Sequence, residues 1–507
     1  MSDVWEIFND PEYSKKSIYY SYCFNALRDS YYPFMKQKFD ESKNTEKPEA
    51  VSLEELISNS DKMSIKFPNE RHRIKTQHQT SHSSIVKEAS SVYPVILDKV
   101  LVLYWAFLEH KLKYGTEIEK SIYTGMSIEE FVDRLLTKTC VSFFGKKNRY
   151  LLRSGEVGNG DFKTIGTNDE KPPLIMSDYL TWDEIKLASF ISISSNTENH
   201  AIISICAPQL DRKGLLDYQD MIMGRGQNCM ENGYGGKPRK CPEELEAIFD
   251  KRSVWNNFYT NKPRIYGQIN KTEIKGRTYR CPKALQRYVK VSKTETCDCY
   301  TLEKRFSAMI TLLLLEANAR AQKVGKMAYL WVNKFRMGLD RLTPCQEEYF
   351  FRIFLTEAVY QFCGNLHSVF CIHFENFAEN CWAKDDTILN NNNVDDPYFW
   401  NKHPNKGIKI RFSPNSAEKD KLQEDDKLLY VSTYASSPNS LVGNEYWMRK
   451  ISANKDSTAY LACHSFIAEL HNPLVNRKML SGRNLHIVSS CVRHISEYCS
   501  THYAYSN

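Results

Sequence analysis

The stretch LLLLEANARAQKVGKMAYLWV, from Leu312 to Val332, decides the fold class. Its first part belongs to a long helical pattern over Leu302–Lys323, and its last part, Ala328–Val332, is a short apolar run typical of a buried strand. The same order returns downstream, with a helix predicted over Glu347–Phe362 and a strand over Ser368–Phe374. Alternation of helix and strand is typical of an α/β sandwich around a largely buried sheet. We therefore predict the α/β class.

The amino-terminal half contains the same kinds of element. Apolar residues at spacings of three and four predict a core helix over Pro94–Tyr114. Two capping boxes, Ser127 with Glu130 and Thr181 with Glu184, predict the starts of two more helices. Strands are predicted over Tyr150–Leu152 and Ala201–Ala207, and a glycine-rich hairpin turn over Ser154–Phe162.

Composition excludes several classes of protein. The chain has 507 residues, of which 42% are hydrophobic and 25% charged, and these are ordinary values for a folded globular protein. A net charge of +7 is too small for its length to indicate nucleic-acid binding. The longest apolar stretches are shorter than the roughly 20 residues of a membrane span, so we expect no span.

The same composition also suggests a compartment. Fifteen scattered cysteines and an acidic start without an apolar signal region predict an intracellular, cytoplasmic protein with reduced thiols. The usage of Asn, Lys, Ser and Tyr also fits a secreted effector that acts in a host cytosol.

Motifs of common enzyme classes and metal sites are missing from the sequence. It has no P-loop, HExxH, GxSxG or kinase signature. Cys297 and Cys299 lack the paired CxxC spacing of a zinc site, and the adjacent Cys463 and His464 would point in different directions on a regular element. Three further histidines lie in the polar run 41–91, which we interpret as a linker: His72, His78 and His82. No metal site is predicted.

Several ordered phrases resemble one known family. They are LIMSDYLTWDEIKLA (Leu174–Ala188), GLLDYQDMIM (Gly214–Met223), the Leu312–Val332 stretch, GIKIRFSPNSAEK (Gly407–Lys419), and GNEYW with ELHNPLVN in the loop-rich block Ser432–Asn476. Together they resemble the macrodomain-like, arginine-specific ADP-ribosylhydrolase family that includes the bacterial effector MavL. The similarity runs from about residue 120 to residue 480.

The resemblance implies a macrodomain-like three-layer α/β/α sandwich that binds ADP-ribose and cleaves the bond between ribose and an arginine guanidinium. It also implies one domain over 93–507, with insertions near 225–300 and 380–405, after an N-terminal extension over 1–92 that contains the polar linker. By the same resemblance, Glu445 and Asp456 match the family's catalytic carboxylates. The residues that match its ligand-binding phrases are Asp178, Gln219, Asp220, Asn439, Gly443, Asn444 and Trp447. Neither a cofactor nor a metal is implied.

The sequence departs from the family pattern at two places. Ser437 stands where the family has an Asp, and a hydroxyl cannot supply that negative charge. After the predicted strand, Asn333-Lys-Phe-Arg-Met-Gly338 replaces a glycine-rich stretch whose backbone could approach a diphosphate. Phe335 and Met337 would hinder that approach, whereas Lys334 and Arg336 could meet phosphate with their side chains.

Three functions therefore stay open at the level of the sequence. The first is a hydrolase of ADP-ribosyl-arginine on a modified protein, with an activity weakened by the two departures. The second is a non-catalytic reader that binds ADP-ribose or an ADP-ribosylated protein. The third is an interaction protein that kept only the fold. Glu316 and Asn318 in the long helix also match the family, and for them we expect internal hydrogen bonds.

Overall fold

The structure is a computed structural model that describes most of residues 37–503. It does not describe 1–36, 66, 68–69, 144–149, 159–161, 198, 206–222, 226–270, 275–276, 281–287, 291–294, 335, 338–346, 348–349, 352–353, 355–365, 378–407, 414–425, 437–439, 443–465 and 504–507.

Helices and strands alternate along the described chain. The α-helices are α1 Leu53–Asp61, α2 His82–Ser91, α3 Asp98–Tyr114, α4 Glu117–Tyr123, α5 Ile128–Thr137, α6 Trp182–Ala188, α7 Cys299–Val324 and α8 Ile495–Tyr503. The strands are β1 Tyr93–Leu97, β2 Ser142–Phe143, β3 Tyr150–Leu151, β4 Val157–Gly158, β5 Ser192–Asn196, β6 His200–Ile205, β7 Met223–Arg225, β8 Lys271–Ile274, β9 Arg277–Arg280, β10 Tyr288–Lys290, β11 Glu295–Asp298, β12 Met327–Asn333, β13 Val369–Glu375, β14 Lys409–Ser413, β15 Leu428–Ala435, β16 His486–Val488 and β17 Val492–His494.

Nine strands form one sheet in the order β14-β13-β12-β15-β6-β5-β1-β16-β17. The five strands from β14 to β6 are parallel to one another. Strand β5 runs antiparallel to both β6 and β1. At the other end β1 and β16 are parallel, and β17 closes the sheet as an antiparallel edge strand. This large, mostly parallel sheet with its helices confirms the predicted α/β class.

The two faces of the sheet differ in chemistry. The first face carries apolar side chains such as Leu330, Val332 and Val431, which share the main core with α7. The second face carries the alternate residues of the same strands, including Tyr329, Tyr434 and Ser195. Apolar groups from both faces are buried, so the sheet lies inside the molecule.

The polar run before β1 is not a linker where it is described. Helix α1 begins at the cap Ser52, whose side chain accepts a hydrogen bond from the Glu55 amide. Leu56, Ile74 and Ile85 from this run are buried in one cluster with Ile193 of β5 and with residues 470–480. The composition was misleading because a few apolar residues at the right spacing are enough to dock two short amphipathic helices. The domain boundary at 92 and the two insertions stay predictions.

Several local predictions are confirmed. Both capping boxes form, at Ser127 with Glu130 and at Thr181 with Glu184. In its described part, 154–158, the glycine-rich stretch forms the turn and second strand of the β3–β4 hairpin, in which Gly155 has φ +95°, a conformation that favours glycine. The predicted helix over Pro94–Tyr114 begins only at Asp98, because Pro94–Leu97 belongs to β1. Among the described helices, none is long and apolar enough to cross a membrane.

Candidate functional site

The ends of β6, β12 and β15 lead into three segments that the sequence analysis identified as candidates for the site. Strands β6, β15 and β12 are parallel neighbours, so their carboxyl ends lie at one edge. Strand β15 is inserted between β6 and β12 after the chain has built β13 and β14, which makes this position a topological switch point. Ligands of open α/β sheets bind in the crevice at such a point. The edge is therefore the candidate site.

Backbone hydrogen bonds connect the points where the chain leaves β6, β15 and β12, which we call the three exits. The Ser436 amide donates to the Ile205 carbonyl at 2.8 Å, which joins the end of β15 to the end of β6. The Ala435 amide donates to the Arg336 carbonyl at 2.6 Å, which joins β15 to the turn after β12. The start of the segment that contains Glu445 is thus fixed on both sides.

The two described residues that flank the segment 443–465 belong to one apolar cluster. Val442 and Phe466 pack in that cluster with Tyr434 of β15 and Leu151 of β3. Leu441 also donates its amide to the Val141 carbonyl at 3.3 Å. The described residues on either side of this segment are therefore held by the same apolar cluster.

The turn after β12 uses its amides internally. The Lys334 amide donates to the Glu375 carbonyl at 3.1 Å, the Arg336 amide to Asn333 Oδ1 at 3.0 Å, and the Met337 amide to the Asn333 carbonyl at 3.0 Å. These three amides are already hydrogen-bonded within the protein. This agrees with the expectation that a turn without the glycine-rich stretch does not bind a diphosphate through its backbone. Met337, however, does not block the edge, because its side chain is buried in the main core.

The two basic residues of this turn differ in their surroundings. Lys334 pairs with the buried carboxylate of Glu347. The Arg336 guanidinium lies 4.3 Å from the ring centre of Trp331, in a cation–π contact. Together with burial, which has the larger effect, the Arg336 charge lowers the pKa of His200 to about 4. The Arg336 guanidinium therefore lies on the second face of the sheet, beside Trp331 and two residues before the end of β12.

Sequence reasoning missed a buried carboxylate at this edge. Glu375, the last residue of β13, accepts hydrogen bonds from Asn333 Nδ2 at 2.8 Å and from the Trp331 indole N–H. The following Asn376 has φ +63° and donates to the same carboxylate at 3.3 Å. A carboxylate directly after a buried strand, in the sequence CIHFEN, is a signal that could have indicated it. This group braces the end of β12.

Asp178 is the described member of the predicted ligand-binding set. It is exposed in the turn before α6, and its carbonyl accepts a hydrogen bond from the Arg153 side chain. Its amide donates to the Ile175 carbonyl at 3.0 Å, so it is part of a turn and not the cap of α6, which is Thr181. The other predicted site residues lie outside the described residues: Gln219, Asp220, Ser437, Asn439, Gly443, Asn444, Glu445, Trp447 and Asp456.

Two other expectations concern polar residues away from the edge. Glu316 pairs with Arg320 at 2.8 Å, and Asn318 accepts a hydrogen bond from the Ser368 amide at 2.8 Å, so their predicted internal roles are confirmed. His78 caps a short 3₁₀ helix through its Nδ1 atom. In the described part of the chain, no cluster of three metal-binding side chains occurs.

Comparison with known proteins identifies the family. A family model described as "ADP-ribosylhydrolase MavL-like" matches residues 54–201 and 198–501. The chain belongs to the MavL-like ADP-ribosylhydrolase family. The match begins inside α1 and ends inside α8, so the helices before β1 belong to the region shared with the family.

Two relatives from Drosophila melanogaster are similar over almost the whole length. "ADP-ribosylarginine hydrolase CG2909" is 33% identical over 499 residues, which is 92% of this chain and 93% of the relative. "ADP-ribosylarginine hydrolase CG3568" is 32% identical over 496 residues, which is 92% of each chain. The expected resemblance to an ADP-ribosylhydrolase family is thereby confirmed.

Proposed function

We propose that this MavL-like protein hydrolyses the N-glycosidic bond between ADP-ribose and an arginine side chain of a modified protein. The observation that carries the proposal is the convergence of three exits at the carboxyl edge of β6, β15 and β12. The exits lead into the segments that resemble the family's ligand-binding and catalytic phrases. The activity is also the one printed in the names of the two relatives.

The reaction needs carboxylates more than any other side chain. When the bond between the anomeric carbon and nitrogen breaks, positive charge develops on the ribose, and a nearby carboxylate stabilises it. A second carboxylate accepts a proton from the attacking water, whose oxygen forms the new bond to carbon. The bond's electron pair leaves with the guanidine, which carboxylates can hold by paired hydrogen bonds. We assign these roles to Glu445 and Asp456.

The remaining predicted residues would hold ADP-ribose in a macrodomain-like, three-layer frame. Asp178, Gln219 and Asp220 are proposed for the adenosine side, and the loop after β15 would contribute the rest: Asn439, Gly443, Asn444 and Trp447. Since three amides of the 333–337 turn are occupied, we propose that Arg336 supplies the positive charge for the diphosphate. Its guanidinium lies beside Trp331, close to the end of β12, which supports this proposal.

The test combines binding and turnover. Calorimetric titration with free ADP-ribose is paired with an assay that measures ADP-ribose released from a protein mono-ADP-ribosylated at arginine. We expect both binding and release. Glu445→Ala and Asp456→Ala should each lower kcat about 100-fold or more, as removal of a group that stabilises transition-state charge does. Glu49→Ala, which changes an exposed carboxylate, is the control and should leave the rate unchanged.

The other two functions are outcomes of the same experiment. Binding without release would identify a reader of ADP-ribosylation, and no binding at millimolar ADP-ribose would leave only an interaction protein. An unchanged rate in both alanine variants would refute the assignment of the two carboxylates. Because Ser437 cannot supply the family's negative charge, Ser437→Asp should raise the rate.

A further inference from the structure

A chain of hydrogen bonds crosses the second face of the sheet below the candidate site. His471 Nδ1 lies 2.8 Å from the hydroxyl of Tyr434 in β15, and His471 Nε2 lies 2.8 Å from the hydroxyl of Ser195 in β5. Glu88 in α2 lies near Ser195, whose side chain lowers the pKa of the Glu88 carboxyl group against the larger effect of burial. These four residues, which we name the relay, connect the helical amino-terminal segment to the strand that leads into the proposed catalytic loop.

The imidazole at the centre of the relay is neutral. His471 is fully buried, and burial, together with the charge of Arg320, lowers its pKa to about 3. A neutral imidazole has one donor and one acceptor nitrogen, so it can bridge two hydroxyl groups. One proton arrangement satisfies both contacts of the ring: Tyr434 donates to Nδ1, and Nε2 donates to Ser195.

Tyr434 connects the relay to the end of β15. It is the last residue but one of β15, and the next two amides make the bonds that join the three exits. Its ring lies 4.9 Å from the ring of Phe466, where the chain returns from the segment 443–465. Phe466 in turn lies 5.1 Å from the His471 ring. The relay therefore holds both the start and the return of the segment that contains Glu445 and Asp456.

We infer that His471 is a positioning residue for the hydrolysis: through Tyr434 it holds the loop after β15 in the geometry that brings its carboxylates to the ribose. The inference rests on the proposed function. A displacement of about 1 Å at a reacting group can cost about 100-fold in rate. The relay is short and fully packed, so removal of one hydroxyl frees the start of the loop without emptying the core.

The first test removes a single oxygen atom. Tyr434→Phe should lower kcat about tenfold to 100-fold, with a smaller change in KM, because the ring stays packed while its hydrogen bond to His471 is lost. Tyr104→Phe is the matched control, since it also removes a buried hydroxyl, which donates to the Leu187 carbonyl at 2.8 Å on the other side of the sheet. We expect the control to shift the urea midpoint by a similar amount and to leave kcat within twofold.

The second test separates positioning from mere stability. An Asn amide takes the place of Nδ1 and a Gln amide takes the place of Nε2, so His471→Asn keeps the contact to Tyr434 and His471→Gln keeps the contact to Ser195. Positioning predicts that the Asn variant retains clearly more kcat than the Gln variant at equal fractions folded. Amide exchange at Ala435 and Ser436 should be faster in the Gln variant than in the Asn variant.

The outcomes distinguish this inference from the function on which it rests. A wild-type chain that releases no ADP-ribose overturns the proposed function and, with it, the role of His471. An active wild type in which Tyr434→Phe behaves like Tyr104→Phe overturns the positioning role alone. Equal kcat values for the two His471 variants would do the same.

Discussion

The two faces of the nine-stranded sheet bury their polar groups in different ways. Towards α7, an apolar face surrounds a buried charged pair, Arg320 with Glu316, whose side chains are both fully buried. On the opposite face, neutral hydroxyl groups and imidazoles are linked in the relay of Glu88, Ser195, His471 and Tyr434. The first arrangement fixes a helix to strands, whereas the second ends where the proposed catalytic loop begins.

The comparison indicates that the Arg320 network serves stability, whereas the relay serves the proposed function. Arg320 donates to the Ser194 hydroxyl and carbonyl, the Asn196 side chain, the Ser91 carbonyl and Glu316, and lies 3.9 Å from the ring centre of Tyr93. All three nitrogens of the guanidinium donate to protein partners, as expected for a structural group. The relay has fewer bonds and lies close to the edge where the substrate is proposed to bind.

The largest effect is expected on the first face. Arg320→Ala should lower the free energy of unfolding by about 4 kcal/mol, because it leaves Glu316 buried without its cation. Urea unfolding measures the change. The double variant Arg320→Met with Glu316→Leu should regain much of the loss, since removal of both charges avoids an unpaired one.

The matched control for this prediction is an exposed ion pair. Lys47 and Glu497 are 2.6 Å apart and each is more than half exposed. Lys47→Ala should cost less than about 1 kcal/mol, as surface pairs usually do. Equal losses for Lys47→Ala and Arg320→Ala would contradict the view that the buried pair fixes the first face.

The next effect concerns the attachment of the amino-terminal helices to the second face. Glu469, which is 2% exposed, accepts hydrogen bonds from Ser60 at 2.5 Å, Arg73 at 3.1 Å and the Ile74 amide at 2.6 Å. Glu469→Ala should cost about 3 kcal/mol, because a buried arginine and a buried amide lose their acceptor. Hydrogen exchange should become faster in α1 and α2.

A second carboxylate near the same arginine supplies the control. Glu70 lies 3.6 Å from Arg73 but is 62% exposed. Glu70→Ala should therefore change stability by a few tenths of a kcal/mol at most. If Glu469→Ala left exchange in α1 and α2 unchanged, those helices would be held by apolar contacts alone.

The sequence predicted those parts of the fold that depend on local pattern. The α7 helix, the β12 strand and two capping boxes follow from spacing within a few residues. Strand β1 was missed because only Asp98 and Lys99 separate its apolar run from that of α3, so one helix was predicted over both. The docking of α1 and α2 was missed because their partners, such as Leu470 and Ile193, are distant in sequence.

The site could be predicted only in part, for a topological reason. The resemblance selected segments after β6, β12 and β15, but sequence does not tell that β15 is inserted between the other two. Glu375 and His471 escaped notice because their roles depend on partners in other strands: Asn333 and Trp331 for the first, Tyr434 and Ser195 for the second. The roles of Glu445 and Asp456 stay predictions.

The last prediction sharpens the comparison through pH, because the relay includes Glu88, a carboxyl group whose pKa burial raises. Burial raises the pKa of Glu88 from 4.5 to about 7, and the Ser195 hydrogen bond offsets only part of that rise. A raised pKa means that the folded state keeps its proton longer than the unfolded chain. The contribution of Glu88 to stability is therefore complete below pH 4.5 and is lost as the pH rises through about 7.

Glu88→Gln should accordingly match the wild type near pH 4.5 and become more stable than it, by up to about 3 kcal/mol, above pH 8. The buried histidines act in the opposite sense, since the lowered pKa values of His471 and His200 cost stability as the pH falls below 6.5, but both proteins share them. Urea midpoints of the two proteins from pH 4.5 to 8.5 give the difference directly. Glu54→Gln, on the exposed side of α1, is the control. A difference that stays constant with pH would mean that folding does not change the pKa of Glu88, which would refute the pKa raised by burial.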